Sequence, residues 1–246
     1  MRLTYPLAFY WAQIALQVLL LVAMHRRGQW QRFPVFVGYM LYTALFSAVL
    51  LVVTKPYWLY FWTYWIGMIP EVVLAIALIW ELYSRCLSPY RALQQMTSGL
   101  FLLAVLVLLS LAIVLAVLAP GSSTSRLMTA VMSLDRSAMM LTSGLIAVLF
   151  AAMYWLRLPW NGLALGIANG LALYSLVSLT TVVITAELGQ PAWAMWKAVH
   201  PMAWTCANLV WAVAVLRPEK EMARELVPAE PLLRWNRSLS EFLGAR

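Results

Sequence analysis

Charge is what this sequence has least of: Asp, Glu, Lys and Arg together make up 11% of its 246 residues. A soluble domain carries about a quarter charged residues, so this chain has too little polar surface to be solvated as a free-standing soluble fold. Cysteine and histidine occur only twice each, which leaves no disulfide framework and no ligand spacing that could hold a metal. A phosphate-cradling glycine loop, an internal repeat and a low-complexity segment are also missing. Neither an acidic pair nor a nucleophile, base and orienter set stands out, so no enzymatic activity and no cofactor is expected. Basic residues outnumber acidic ones 17 to 9, but they are scattered between apolar runs and form no continuous stripe, which argues against a nucleic-acid partner.

What fills the chain instead is apolar: 64% hydrophobic residues, 13 Trp among them, and a mean hydropathy of +0.82. About 20 apolar residues are needed for a helix to cross the hydrocarbon core of a bilayer, which is about 30 Å thick. Seven runs qualify, at 7–24, 33–53, 57–80, 98–118, 127–154, 162–186 and 192–216. Backbone groups in lipid must be satisfied internally, and the runs lack the alternation of barrel strands, so helices are required. The expected fold is an all-α, polytopic seven-helix transmembrane bundle over residues 1–216, with the lipid bilayer as its first partner.

Breakers support these divisions. Lys55-Pro56 follows the second run, Pro120-Gly121 the fourth, Pro159 and Gly162 bracket the start of the sixth, and Gly189-Gln190-Pro191 precedes the seventh. The first run carries Gln13 and Gln17 and ends on His25-Arg26-Arg27 rather than on a small-residue cleavage site, so it reads as a retained span. Twelve Lys and Arg fall on one side of the expected spans, Arg26, Arg27, Arg32, Arg85, Arg91 and Arg157 with six in the tail, against four on the other, Arg2, Lys55, Arg126 and Lys197. Positive loops stay in the cytoplasm. The expectation is therefore an outside N-terminus, a cytoplasmic C-terminus and a multi-pass place in a bacterial inner membrane. Tyr57, Trp58, Trp62, Trp193 and Trp196 at outer ends, and Trp155 and Trp160 at inner ones, suit interfacial anchors. Cys86 and Cys206 fall at different depths and read as free thiols.

Ionisable residues inside the runs are few, and each is expected to face the bundle interior. They are Glu71, Asp135, Arg136, Lys197 and His200. By depth, Glu71 could pair with Arg136, and Asp135 with His200 or Lys197. Helical spacing sets further polar residues on the same faces: Tyr64 with Glu71, Thr181 with Tyr174 and Ser178, Asn208 with His200 and Trp204. Two readings follow, a polar cavity open to the outer face that holds a small ligand or ion, or charges that merely neutralise one another and fix helix register. Pro70 before Glu71 and Pro201 after His200 favour bends that free carbonyls near those side chains. Gly162, Gly166 and Gly170 make a small-xxx-small repeat suited to close helix packing, inside the chain or at a homo-oligomer seam.

After Arg217-Pro218 the tail turns polar and charged, with short helices expected at 219–226 and 232–243. The second has an apolar face that would lie on the inner leaflet.

The short-looped spans, the stretch Glu81-Leu82-Tyr83-Ser84-Arg85 leading to Pro89-Tyr90-Arg91, and Leu134-Asp135-Arg136-Ser137 together resemble a set of bacterial seven-helix integral membrane proteins. The resemblance covers nearly the whole chain; it implies the architecture and carries over no activity and no functional residue. Retinal-binding opsins, also seven-helical, attach their chromophore to a Lys in the middle of the last helix, where this chain has Asn208. The function expected from the residues is a non-enzymatic receptor-like or accessory subunit with a polar intramembrane cavity. The alternative is a proton- or ion-coupled small-molecule transporter or channel. A partner membrane protein or a second copy of the chain is the macromolecular partner either would use.

Overall fold

Helix is the only regular structure among the described residues, as long apolar runs between Pro and Gly breakers demand. A computed structural model describes residues 4–53, 55–87, 90–118, 126–155, 162–188, 190–217, 234 and 237–238. In it lie α1 (Thr4–Arg26), α2 (Pro34–Val52), α3 (Tyr57–Cys86), α4 (Arg91–Leu118), α5 (Arg126–Trp155), α6 (Gly162–Leu188) and α7 (Gln190–Leu216). The tail helices expected at 219–226 and 232–243 lie outside the described residues, apart from Arg234, Arg237 and Ser238.

Local chemistry sets the helix ends. Gly28 adopts φ +64°, and the amides of Gly28 and Gln29 reach back to the carbonyls of His25 (3.1 Å) and Met24 (3.0 Å). This Schellman turn closes α1 with the residue best suited to the left-handed region. Pro34 opens α2 in its first turn, where a missing N–H costs nothing. Pro70 and Pro201 lie inside α3 and α7.

Several polar side chains of these helices are buried while large apolar ones beside them face outward. On α1, Gln13 and Gln17 are buried while Leu19 is 65% exposed; on α7, Asn208 is fully buried while Leu209 beside it is 51% exposed. Trp58, Trp62 and Trp155 also face outward. Water would select the opposite arrangement. Five stretches, Pro34–Val52, Trp58–Cys86, Ser137–Trp155, Gly162–Thr181 and Val199–Leu216, are long and apolar enough to cross a membrane, and α1 holds a shorter apolar stretch, Trp11–Arg26. Together they suggest a membrane-embedded protein.

The chain forms two compact units, Met1–Leu78 with Asn169–Leu216, and Ile79–Ala168 with Arg217–Arg246. In the first, α1 packs on both α2 and α7. Gln13 bonds the Pro201 carbonyl (2.8 Å) and Arg27 the Val215 carbonyl (3.0 Å), so α1 and α7 run parallel. Phe36 meets Trp211 while Tyr39 meets Trp204, so α2 runs antiparallel to α7. Tyr174 touches His200, and Gly170 backs onto Trp211, which sets α6 antiparallel to α7 as well.

In the second unit α4 packs along α5. The end of α3 joins α4 through Trp80 and Tyr83 against Phe101, with ring centroids 5.0 and 5.5 Å apart. Glu81, buried, is paired with Arg85 one turn on at 3.3 Å.

Candidate functional site

The polar side chains of the first unit are held by helix spacing and by aromatic packing. On α7, His200, Trp204 and Trp211 recur at intervals of four and seven and share a face. Trp204 meets Trp211 edge to face (5.5 Å) and Tyr174 likewise (4.7 Å), and Tyr39 lies against Trp204 (6.1 Å). Such edge-to-face pairs add about 0.5–1.5 kcal/mol each beyond the area they bury. They fix the floor on which His200 sits.

His200 is engaged at both ring nitrogens from α6. The Tyr174 hydroxyl lies 3.1 Å from Nε2 and the Ser178 hydroxyl 3.4 Å from Nδ1. A neutral imidazole carries one donor and one acceptor, so the two hydroxyls complement it in either tautomer. The cluster can thus offer a polar guest an acceptor or a donor, and it can exchange a proton along Tyr174, His200 and Ser178.

Glu71, half-buried on α3, lies close enough to Tyr39 and Tyr42 of α2 for its charge to act on both phenols. The Tyr42 hydroxyl donates to the Gly67 carbonyl, one turn before Glu71 and three residues before Pro70. Gly67 leaves room there for the Phe46 ring, which a Cβ would force to shift. Tyr64 stacks on Tyr60 of its own helix. Thr181 is buried and donates to the Val177 carbonyl of its own helix at 2.6 Å. Asn208 is fully buried and donates through Nδ2 to the Trp204 carbonyl at 2.9 Å.

Asp135 and Arg136 lie on α5 and Lys197 on α7, but their side chains, and with them the pairings Glu71 with Arg136 and Asp135 with His200 or Lys197, fall outside the described residues. Gly162 is buried and Gly166 half-buried. Gly170 gives α6 its close approach to α7, since a Cβ there would collide with the Trp211 indole. Cys86 is a buried and Cys206 an exposed free thiol.

The fold adds two helices that sequence patterning left aside. On α1, Gln13 donates to the Pro201 carbonyl (2.8 Å) and the Thr205 hydroxyl (3.3 Å), and Gln17 donates to the Thr43 hydroxyl of α2 (3.3 Å). Gln13, Gln17 and Thr43 are all buried. The four-residue spacing of the two glutamines in an apolar run was the available signal; Tyr39 and Tyr42 gave none that separates them from interfacial or packing tyrosines. No family model, no curated protein and no solved structure matches the chain.

Proposed function

We propose that this chain is a seven-span protein of a bacterial inner membrane, N-terminus outside and C-terminus in the cytoplasm. It works as a non-enzymatic receptor-like or accessory subunit that holds a small polar ligand inside the bilayer at His200. The observation that carries the ligand site is the double engagement of His200 by Tyr174 and Ser178 above an aromatic floor. Intramembrane ionisable side chains of this kind are costly to place in lipid and mark functional sites by default. Alternating directions of α1, α2, α6 and α7 support repeated crossing. Orientation is supported by Arg27 meeting Val215, which sets the Arg-rich segment after α1 at the C-terminal end of α7, in line with cytoplasmic retention of positive charge.

The test is protein purified from its native membrane into lipid nanodiscs and analysed by native mass spectrometry. A small molecule should accompany the wild type and be lost from His200→Phe, which keeps a ring against Tyr174. Wild-type and variant spectra that both show only the bare chain and lipid contradict the ligand site. The second reading, proton- or ion-coupled transport, is favoured by the placement of Glu71 within electrostatic reach of Tyr39 and Tyr42 in the same unit as His200. Proteoliposomes carrying a trapped pH dye separate the two: the receptor-like reading expects no proton flux above empty vesicles, and flux lost in Glu71→Gln supports transport.

A further inference from the structure

Two buried amides in the first unit have donors whose partners fix which way each amide turns. The Thr43 hydroxyl donates to the carbonyls of Tyr39 (3.0 Å) and Met40 (3.1 Å). Its oxygen can therefore only accept, so Gln17 must present its NH₂ there, at 3.3 Å. Asn208 spends its NH₂ on the Trp204 carbonyl at 2.9 Å. Both amide oxygens, Gln17 Oε1 and Asn208 Oδ1, are then left buried without a hydrogen-bond partner among the described residues, on side chains that are 0% exposed.

Helix register sets the two on one seam. α1 and α7 run parallel, with Gln13 against Pro201 and Thr205 and Arg27 against Val215. Gln17 lies one turn after Gln13, and Asn208 three residues, close to one turn, after Thr205, so helix spacing sets both at the next level along the two helices. A buried acceptor left unmade carries its full desolvation cost, and two on facing helices at one level call for something that donates to both.

We propose that Gln17 and Asn208 form a buried site on the α1–α7 seam for a small guest carrying two N–H or O–H donors, either a water molecule or ammonium. The site lies on the seam with α1, whereas the His200 cluster faces α6, and it stands whether or not His200 holds a ligand. A guest bridging two oxygens couples them: removing either acceptor releases it, so a second removal costs only that side chain's own bond, to Thr43 or to the Trp204 carbonyl.

The experiment is a double-mutant cycle of Gln17→Leu and Asn208→Leu, melted in nanodiscs in sodium chloride and in ammonium chloride at equal ionic strength. Each single variant should lower Tm by about 2–4 °C, and the double variant should fall by clearly less than the sum of the two singles. A wild-type Tm that rises with ammonium and not with sodium, with the rise absent in both variants, identifies the guest as ammonium; coupling without ammonium dependence identifies water. Single variants that melt at or above the wild type, or losses that simply add, overturn the site. Should Leu be too bulky to fold, Gln17→Met and Asn208→Ala complete the same cycle with the same readings.

Discussion

Gly170 and Trp211 set how closely α6 and α7 approach. The Trp211 ring is fully buried and wedged against Phe36, Tyr39 and Trp204, so it cannot swing aside for an added methyl. Gly170→Ala should cost about 1–3 kcal/mol as overpacking, seen as a lower melting temperature, while a residue with open space, Gly99, should tolerate Ala. Gly28 is limited by conformation rather than space: nothing lies within 4 Å of its Cβ position, yet φ is +64°. Gly28→Ala should therefore lose about 1 kcal/mol, and an unchanged Tm would argue against the Schellman turn. At His200 the hydroxyls of Tyr174 and Ser178 are the quantity at risk. His200→Phe keeps the ring contacts but removes both partners, at a cost of about 1–3 kcal/mol; a melting temperature equal to the wild type would mean these hydroxyls find equal partners elsewhere.

Helix by helix, apolar length and breakers made the elements readable, and where they stop being readable has a cause. α3 continues to Cys86 although its apolar run ends at 80, because Glu81 is paired with Arg85 across one turn and backbone hydrogen bonding does not end where hydropathy does. α4 likewise begins at Arg91, ahead of its run at 98. Side-chain direction was legible for His200 and Asn208, whose spacing on α7 sets them facing inward. The partners were not: Gln13 to Pro201 and Thr205, and Gln17 to Thr43, are contacts between helices distant in sequence that periodicity cannot report. At the end of α7, the Arg27 guanidinium satisfies a last-turn carbonyl, where cations oppose the negative end of the helix dipole. Arg27→Met should weaken this by about 0.3–1 kcal/mol and speed amide exchange over residues 212–217, with exchange at the start of α7 unchanged.

Across the molecule, the pattern that ties these pieces together is the company burial keeps: amides and hydroxyls lie inside beside a mainly apolar core, while many Leu and Val and several Trp face outward. That pattern suits a bilayer as solvent, and the directions of α1, α2, α6 and α7 suit a chain that alternates across it. Cysteine labelling of intact cells tests this most directly, using single substitutions in a chain already carrying Cys86→Ala and Cys206→Ala, and a maleimide that cannot cross the membrane. Lys55→Cys should react from outside, while Arg32→Cys and Arg217→Cys should react only once the membrane is permeabilised. Labelling of Lys55→Cys and Arg217→Cys from the same side, or of Arg32→Cys and Arg217→Cys from opposite sides, would contradict the account.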